Sequence, residues 1–474
     1  MTNNNSLKQG SLGLFTVVFF VVAAASPLTG VIGALPVTFF IGNGVGVPSV
    51  FIMAGILLLL FSFGFVTMGK YVVNAGAFYA YIVQGIGVRC GLGGLNAALL
   101  AYVAIQLAVS TMFGFFTNEF VQSQWGIQIP WWIYAILMQC LVVILGILKV
   151  EIGGKVLGIL LLFEIGVVLL LDFTILKSTT EFTYNSFAPD IFLGGNLGIS
   201  LVFAICSFIG FEATAIYSEE CKNPQTTVAR ATFIAVCLIT VFYAITSWAL
   251  IQYVGEGTLV EVAAADPGMM VYNIAQSSLG TWSIQIMSVL LITSLFAATQ
   301  AFHNSLARYL FTMGRDGLIW SKIAQTHASN NTPYVASIIQ GLFIIAILAF
   351  AGIENLDPMV DVFAWGSVIA SMAILILQIG VSVAVIIFFR KNKQLNASLW
   401  SGTIAPFLAL VGMSCVLVLV VQNIKTLSGS ESPIIQLVPW FVFGIVFLGI
   451  IWAQIIQIIQ PEKFKQLKKL IKYL

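Results

Sequence analysis

Two acids, Glu164 and Glu212, stand inside long apolar stretches of a 474-residue chain in which only 8% of residues are charged. An ionised acid at the centre of a bilayer costs about 2.5–3.5 kcal/mol on insertion scales, so each needs a partner, a water-filled cavity or a proton. Glu212 follows Gly210 and Phe211 in "SFIGFEATAIYSEECKNP", residues 207–224. Beside an interruption of the helix its carboxylate can cap the half-helix that follows, or it can touch a ligand or ion directly. Phe211 reads either as a lid over a site or as one more packed ring among 37 phenylalanines. A second interruption is written in "AAASPLTGVIGALP", residues 23–36. Pro27 removes a backbone donor and turns Ser26 away from helical geometry, and Gly30 and Gly33 relax the chain beyond it. Amides at the start of a half-helix carry partial positive charge and suit a carboxylate; freed carbonyls suit an ammonium group. Thr29, Gly30 and Val31 are the candidate donors, and Ala24, Ala25 and Phe208 the candidate acceptors, with Ser26 and Gly210 at the two breaks.

These breaks must sit in membrane helices. The chain is 59% hydrophobic, whereas soluble domains average about 45–50% apolar and about 25% charged residues. Apolar runs fall near 13–42, 48–69, 91–120, 130–148, 152–176, 194–218, 229–254, 270–305, 335–353, 359–389, 402–424 and 434–460. The third and eighth exceed the bilayer thickness, which predicts tilt or extension rather than an extra crossing. With the N-terminus inside, all but Lys177 and Lys425 of the 20 Lys and Arg residues fall on the cytoplasmic side, as the positive-inside rule requires. An even number of crossings places both termini in the cytoplasm. The Ala23-Ala24-Ala25 step resembles a signal-peptide cleavage site, but the apolar run resumes after it, which favours a first span.

The breaks lie in the first and sixth runs, five helices apart. An odd number inverts the second unit, so the spacing predicts an inverted repeat whose two breaks meet at mid-membrane. The predicted fold is an all-α integral membrane protein of twelve transmembrane helices, a five-plus-five inverted repeat with discontinuous helices 1 and 6 and two further C-terminal helices. Its parts are a tail (1–12), repeat one (13–176), an extracellular connection (177–193), repeat two (194–390), two helices (391–460) and a basic tail (461–474).

Polar residues on other runs could line a pathway: Tyr102, Gln106 and Ser110 share one face of the third, and Thr293, Gln300 and Asn304 one face of the eighth. Single Ser and Gln residues also serve as interhelical hydrogen-bonding groups. Asp361 and Trp365, one turn apart, are candidates for an outer gate. Arg308 and Arg315 are expected to brace the opposite end through ion pairs with Glu219 or Glu220. His303 and His327 have no partners at triad or metal-site spacing. Cys90, Cys140, Cys206, Cys221, Cys237 and Cys415 read as packing residues without a disulfide framework. No metal or cofactor is implied. In "PEKFKQLKKLIKYL", Phe464, Leu467, Ile471 and Leu474 share one helical face and lysines the other, which predicts a helix lying on an anionic leaflet. A nearly neutral net charge of +2 argues against a nucleic-acid partner. The sequence carries no metalloprotease, nucleophile-elbow or phosphate-loop motif, and no repeated pore filter.

Three segments carry a family resemblance. "GFEATAIYSEECKNP" (210–224), "NSLARYLFTMGRDGLIW" (304–320) and "NAGAFYAYIVQGIG" (74–87) resemble the sixth-span, eighth-span and second-to-third-span motifs of the amino acid–polyamine–organocation superfamily. The resemblance implies a secondary transporter of the leucine-transporter fold that moves amino acids or related amines. A zwitterionic amino acid would use both the donors and the acceptors named above. Relatives commonly carry Gly-Ser/Thr-Gly at the first break, whereas this chain has Leu28-Thr29-Gly30 preceded by Pro27. Alignment of "KVEIGGKVLGILLLFE" with the fifth span of relatives puts Glu164 where proton-coupled members often have a lysine. It is therefore the candidate coupling residue, for H+ or else Na+, with a purely structural acid as the alternative. Few charges at the site favour a neutral amino acid; a cationic amino acid or polyamine is the alternative, and a non-transporting sensor or a channel would be a different class.

Overall fold

The computed structural model describes residues 10–148, 150–429 and 433–470. Lys8, Lys149, Ile471, Lys472 and Leu474 of the sequence reading lie outside the described residues, as do the side chains of Lys155, Lys468 and Lys469. Among the described residues the chain is helical without a β-strand; one backbone bridge joins Leu12 and Cys221.

The principal helices, in chain order, are α1 Leu14–Ala25, α2 Pro27–Thr29, α3 Val47–Gly69, α4 Ala77–Gly85, α5 Val88–Trp125, α6 Trp131–Ile147 and α7 Val150–Ser178. There follow α8 Leu197–Cys206, α9 Ala213–Ile216, α10 Pro224–Val254, α11 Met270–Leu279, α12 Trp282–Arg315, α13 Tyr334–Ile353, α14 Ala364–Lys391, α15 Ala405–Gln422, α16 Val438–Ile459 and α17 Pro461–Leu470. Nine helical stretches are long and apolar enough to cross a membrane among the described residues, and Trp131–Ile147 and Leu197–Cys206 are shorter apolar helices. The outside of the bundle is apolar too: Phe163 is 63% exposed, while its neighbour Glu164 is 3% exposed. A hydrocarbon solvent explains that inversion, and the molecule is a multi-pass membrane protein.

The first predicted run is broken as its sequence requires. Ser26 adopts φ +48°, ending α1, and Pro27 begins α2 at a position where its missing N–H is harmless. Two π-helical stretches follow, Gly30–Ala34 and Thr38–Asn43, on either side of Pro36; an interior proline that cannot donate favours such wide turns. The run 194–218 breaks after Cys206 into successive tight turns that carry Gly210 at φ +108°.

Three expectations change. The run near 270–305 is two elements: Gly280, at φ +100°, separates α11 from α12, and α12 then extends to Arg315. The apolar content continues across the glycine, so composition alone merges them. In the described part of the tail helix α17 the apolar face meets protein: Leu467 is 1% exposed, Phe464 is half-buried, and the helix packs on α5 and α16. The cysteines are not uniformly packing residues either, since Cys90, Cys140, Cys237 and Cys415 are exposed and only Cys221 is buried. All six are free thiols.

Candidate functional site

The two interruptions touch. A Cβ built on Gly210 would stand 2.6 Å from Ala24 Cβ, so the sixth-run break lies against the end of α1 because residue 210 lacks a side chain. Helix α12 also packs against α1 and α2, and α7 against both.

Glu164 on α7 is bound into the first break. Its Oε1 accepts from the Leu28 amide at 2.6 Å and from Ser294 Oγ at 2.8 Å. Ser294 Oγ lies 2.6 Å from Ser26 Oγ, which lies 2.7 Å from Thr29 Oγ1. The Leu28 N–H, which a continuous helix would give to the Ala24 carbonyl, points at Glu164 instead, freeing that carbonyl from the helical ladder. The Gly30 amide donates to Ser26 O at 3.2 Å. Tyr243 Oη donates to Pro27 O at 3.3 Å, and its ring occupies the space a Gly30 side chain would need.

Glu212 is fully buried on the other side. Oε2 accepts from the Gly210 amide at 3.1 Å and Oε1 from Tyr102 Oη at 2.8 Å. The Phe208 carbonyl accepts from the Phe211 amide at 3.1 Å. Phe211 is fully buried, edge-on to Phe61 at 5.8 Å and to Phe65 at 6.4 Å.

A cavity of about 520 Å³ opens beside the breaks. Ala24, Ala25, Ser26, Thr29 and Gly30 line it, and it reaches Met359, Phe363 and Thr426–Gly429 at the face where the acidic loops lie. Its walls come from Ile105, Val109 and Met112 on α5, Val202 and Phe203 on α8, and Phe302 on α12. Val31, Phe208, Gly210, Phe211, Glu212, Glu164, Tyr102, Gln106, Thr293 and Trp365 are not among its lining residues. Gln106 instead joins Gln139 at 3.1 Å and Gln340, in a network that reaches His303 and Ser337. Thr293 Oγ1 donates to its own helix at Leu290 O. At the mouth Asp361 is exposed and caps its own turn by accepting from Asp357 N at 2.8 Å, Trp365 is half-buried, and Met359, Val360 and Phe363 between them face the cavity. Sequence reasoning missed the α5 wall by choosing the neighbouring stripe; Ile105, Val109 and Met112 recur at i, i+4 and i+7.

The opposite face, rich in Lys and Arg, is closed. Arg308 pairs with Glu220 through two bonds, 2.6 Å from Nε and 3.1 Å from a terminal nitrogen, and its guanidinium lies 4.4 Å above the Tyr217 ring centroid. Tyr217 stacks on Phe20 at 5.1 Å. Arg315 makes a second fork to Glu219 at 2.8 and 2.9 Å. Both ion pairs named from sequence therefore form. Leu12 donates to Glu220 O and accepts from Lys222 N, each at 3.0 Å, lacing the N-terminal segment to the same turn.

A cavity beside two broken helices, reaching one face while ion pairs bridge the turns at the other, is an arrangement that suits a carrier. Comparison with known proteins agrees. The amino acid permease family model matches residues 16–469. The chain belongs to the amino acid permease family. This permease is 22% identical to the branched-chain amino acid permease BcaP of Bacillus subtilis, over 85% of each chain. It is 24% identical to the aromatic amino acid permease FywP of Lactococcus lactis, over 84% of this chain and 89% of that one. It is 26% identical to cationic amino acid transporter 4 of Mus musculus, over 68% of this chain and 52% of that one. The family is one of transporters rather than enzymes, and membership implies a small-molecule amino acid substrate.

Gly30 offers a direct test of the permease site. Tyr243 stacks on Phe51 at 4.8 Å and is fully buried, so it has little room to retreat. Gly30→Ala is expected to cost about 1–3 kcal/mol by overpacking, read as a lower melting temperature of the purified protein and weaker ligand stabilisation. Melting and ligand response equal to wild type would count against this packing.

Proposed function

We propose that this permease is a proton-coupled symporter of neutral amino acids with large apolar side chains, working by alternating access in the cytoplasmic membrane with both termini inside. On this reading the structure is an outward-open state, with the acidic face outside. The twelve-helix, five-plus-five architecture and the division at 176, 193, 390 and 460 belong to the same proposal. The carrying observation is the cavity itself: main chain from the first break forms one end, aliphatic and aromatic side chains with a few hydroxyls, those of Ser207, Ser367 and Ser371 among them, form the walls, and no charged residue is among the described lining residues. The backbone end suits the α-ammonium and α-carboxylate groups, through Ala24, Ala25, Ser26, Thr29 and Gly30, and the walls suit an apolar side chain. Glu164 and Glu212 are each engaged with this chain's own donors, which argues against either one receiving the extra amine of a cationic substrate. Val31, Phe208, Gly210, Phe211 and Glu212 act behind this surface by shaping the breaks. The names of the branched-chain and aromatic relatives support the same class.

The coupling step assigned to Glu164 is proton uptake from the outer side and release inward. Neutralising Glu164 weakens its hold on the Leu28 amide and the Ser294 hydroxyl, and so alters the first break where the substrate binds. Proton occupancy and cavity shape are thereby linked through one oxygen.

A thermal-shift screen at two pH values tests the substrate class. A ligand at 100 times its Kd should stabilise by about 2.7 kcal/mol. Leucine, isoleucine or phenylalanine is expected to raise the melting temperature, and lysine and polyamines are not. Stabilisation by lysine without leucine would overturn the assignment. Saturable, competitor-sensitive uptake in proteoliposomes separates a carrier from a pore or a sensor.

A further inference from the structure

Glu164 is not the only acid buried on α7. Asp172, eight residues toward the acidic face, is 2% exposed. Its Oδ2 accepts from Thr246 Oγ1 on α10 at 2.7 Å, while Oδ1 is buried and has no hydrogen-bond partner among the described residues. Eight residues of helix separate the two acids by about 12 Å along the axis.

We propose that Asp172 is a second proton-binding site, distinct from Glu164, on the acidic-face half of the α7–α10 interface. An ionised carboxylate there would keep one charged oxygen buried and unsatisfied, at a cost of several kcal/mol; the neutral acid leaves only an unfilled hydrogen-bonding position.

Charges on the packed helices lie elsewhere. Helices α1 and α2 carry no titratable side chain, and α11 carries only Tyr272. Helix α6 carries Tyr134 and Cys140. On α10 the titratable groups are Arg230, Cys237, Tyr243 and Tyr253, and Arg230 is about 24 Å along the helix from Thr246. On α12 they are His303, Arg308, Tyr309 and Arg315, all on the basic-face side of Ser294, the residue that meets Glu164. On α7 itself Lys177, five residues beyond Asp172, is exposed, and among the described residues no cation forms an ion pair with Asp172. A metal ion fits the site poorly, because one carboxylate and one hydroxyl fall short of the roughly six oxygens that hard cations such as calcium and magnesium gather.

The site also has a route to the transport machinery. Thr246 and Tyr243 are one turn apart on α10, and Tyr243 donates to Pro27 O, next to the amide held by Glu164. Loss of the proton from Asp172 to water leaves a charged oxygen that draws water between α7 and α10, one turn along α10 from Tyr243.

Infrared difference spectroscopy of the full-length protein in lipid, stepped through pH, reads protonated carboxyl groups directly and needs no substrate. Asp172→Asn, which keeps the shape and can still accept from Thr246, is expected to lose one protonated-carboxyl band that Glu164→Gln retains. The double variant should lose both contributions. Thr246→Val should shift the Asp172 band without removing it, since only its hydrogen bond is lost. A Asp172→Asn spectrum superimposable on wild type throughout the titration overturns the proposal, as does a band insensitive to Thr246→Val. Because transport is not the readout, failure here is separable from failure of the symport reading.

Discussion

Glu164→Gln is expected to lower proton-driven uptake by more than about tenfold, the equivalent of about 1.4 kcal/mol, while substrate binding stays near wild type. Glutamine keeps an oxygen that can accept from the Leu28 amide and the Ser294 hydroxyl, so the first break retains its shape. It cannot take up and return a proton, so the driving force is lost while the cavity persists. Glu164→Leu makes the complementary experiment: it leaves the Leu28 amide unsatisfied at a cost of about 1–3 kcal/mol, and both binding and uptake should fall. Proteoliposome uptake under an imposed pH gradient, with binding measured in parallel, separates the two. Uptake by the Gln variant that remains intact and pH-dependent would show that the coupling proton is carried elsewhere.

The second large effect belongs to the closed face. Arg308 and Glu220 have side chains only 2% and 8% exposed, and removing one member of a buried pair strands the other, at about 3–5 kcal/mol. Arg308→Ala should therefore depress the melting temperature strongly and admit thiol reagents from the basic face to a cysteine placed at Ala24. The double variant Arg308→Met with Glu220→Leu removes both charges and should recover part of that stability while leaving the gate less specific. An Arg308→Ala protein as stable and as tightly sealed as wild type would rule out the pair as the gate's main brace. Arg315 and Glu219, at 27% and 18% exposure, are solvated enough that their pair contributes less. Burial disfavours the Glu219 carboxylate, yet the Arg315 guanidinium and the Ala75 amide outweigh it and hold the group below its ordinary value. Its contribution is therefore present above the unfolded pKa of about 4.3 and fades as pH falls through the lower, folded value.

Both breaks were legible because their causes are local. Pro27 lacks a donor whatever surrounds it, and Gly210 can hold φ +108° where a side chain would be strained. The ion pairs at the closed face were legible because four charges in an apolar chain have few other partners. What binds Glu164 was not: the Leu28 amide becomes available only once the chain has turned at Ser26, and sequence does not say which helix then faces it. Glu212 was read as a cap for the half-helix that follows, but its side chain makes no cap bond to Ala213–Ile216; it accepts instead from the Gly210 amide before it and from Tyr102, on a helix 110 residues earlier. The docking of α17 was hidden for a different reason, because an amphipathic stripe fits a lipid surface and a protein groove equally well. Asp172 escaped notice because a single acid toward a helix end usually reaches water, and only the fold shows α10 covering it.

The N-terminal segment is stitched by its own main chain, through Leu12, to both sides of Cys221. A fluorophore attached at Gly10 would therefore ride on the turn that carries Glu219 and Glu220. It would give an optical reporter of any displacement of that turn without a label inside the bundle, and a bulky purification handle fused at the same point would load the same turn.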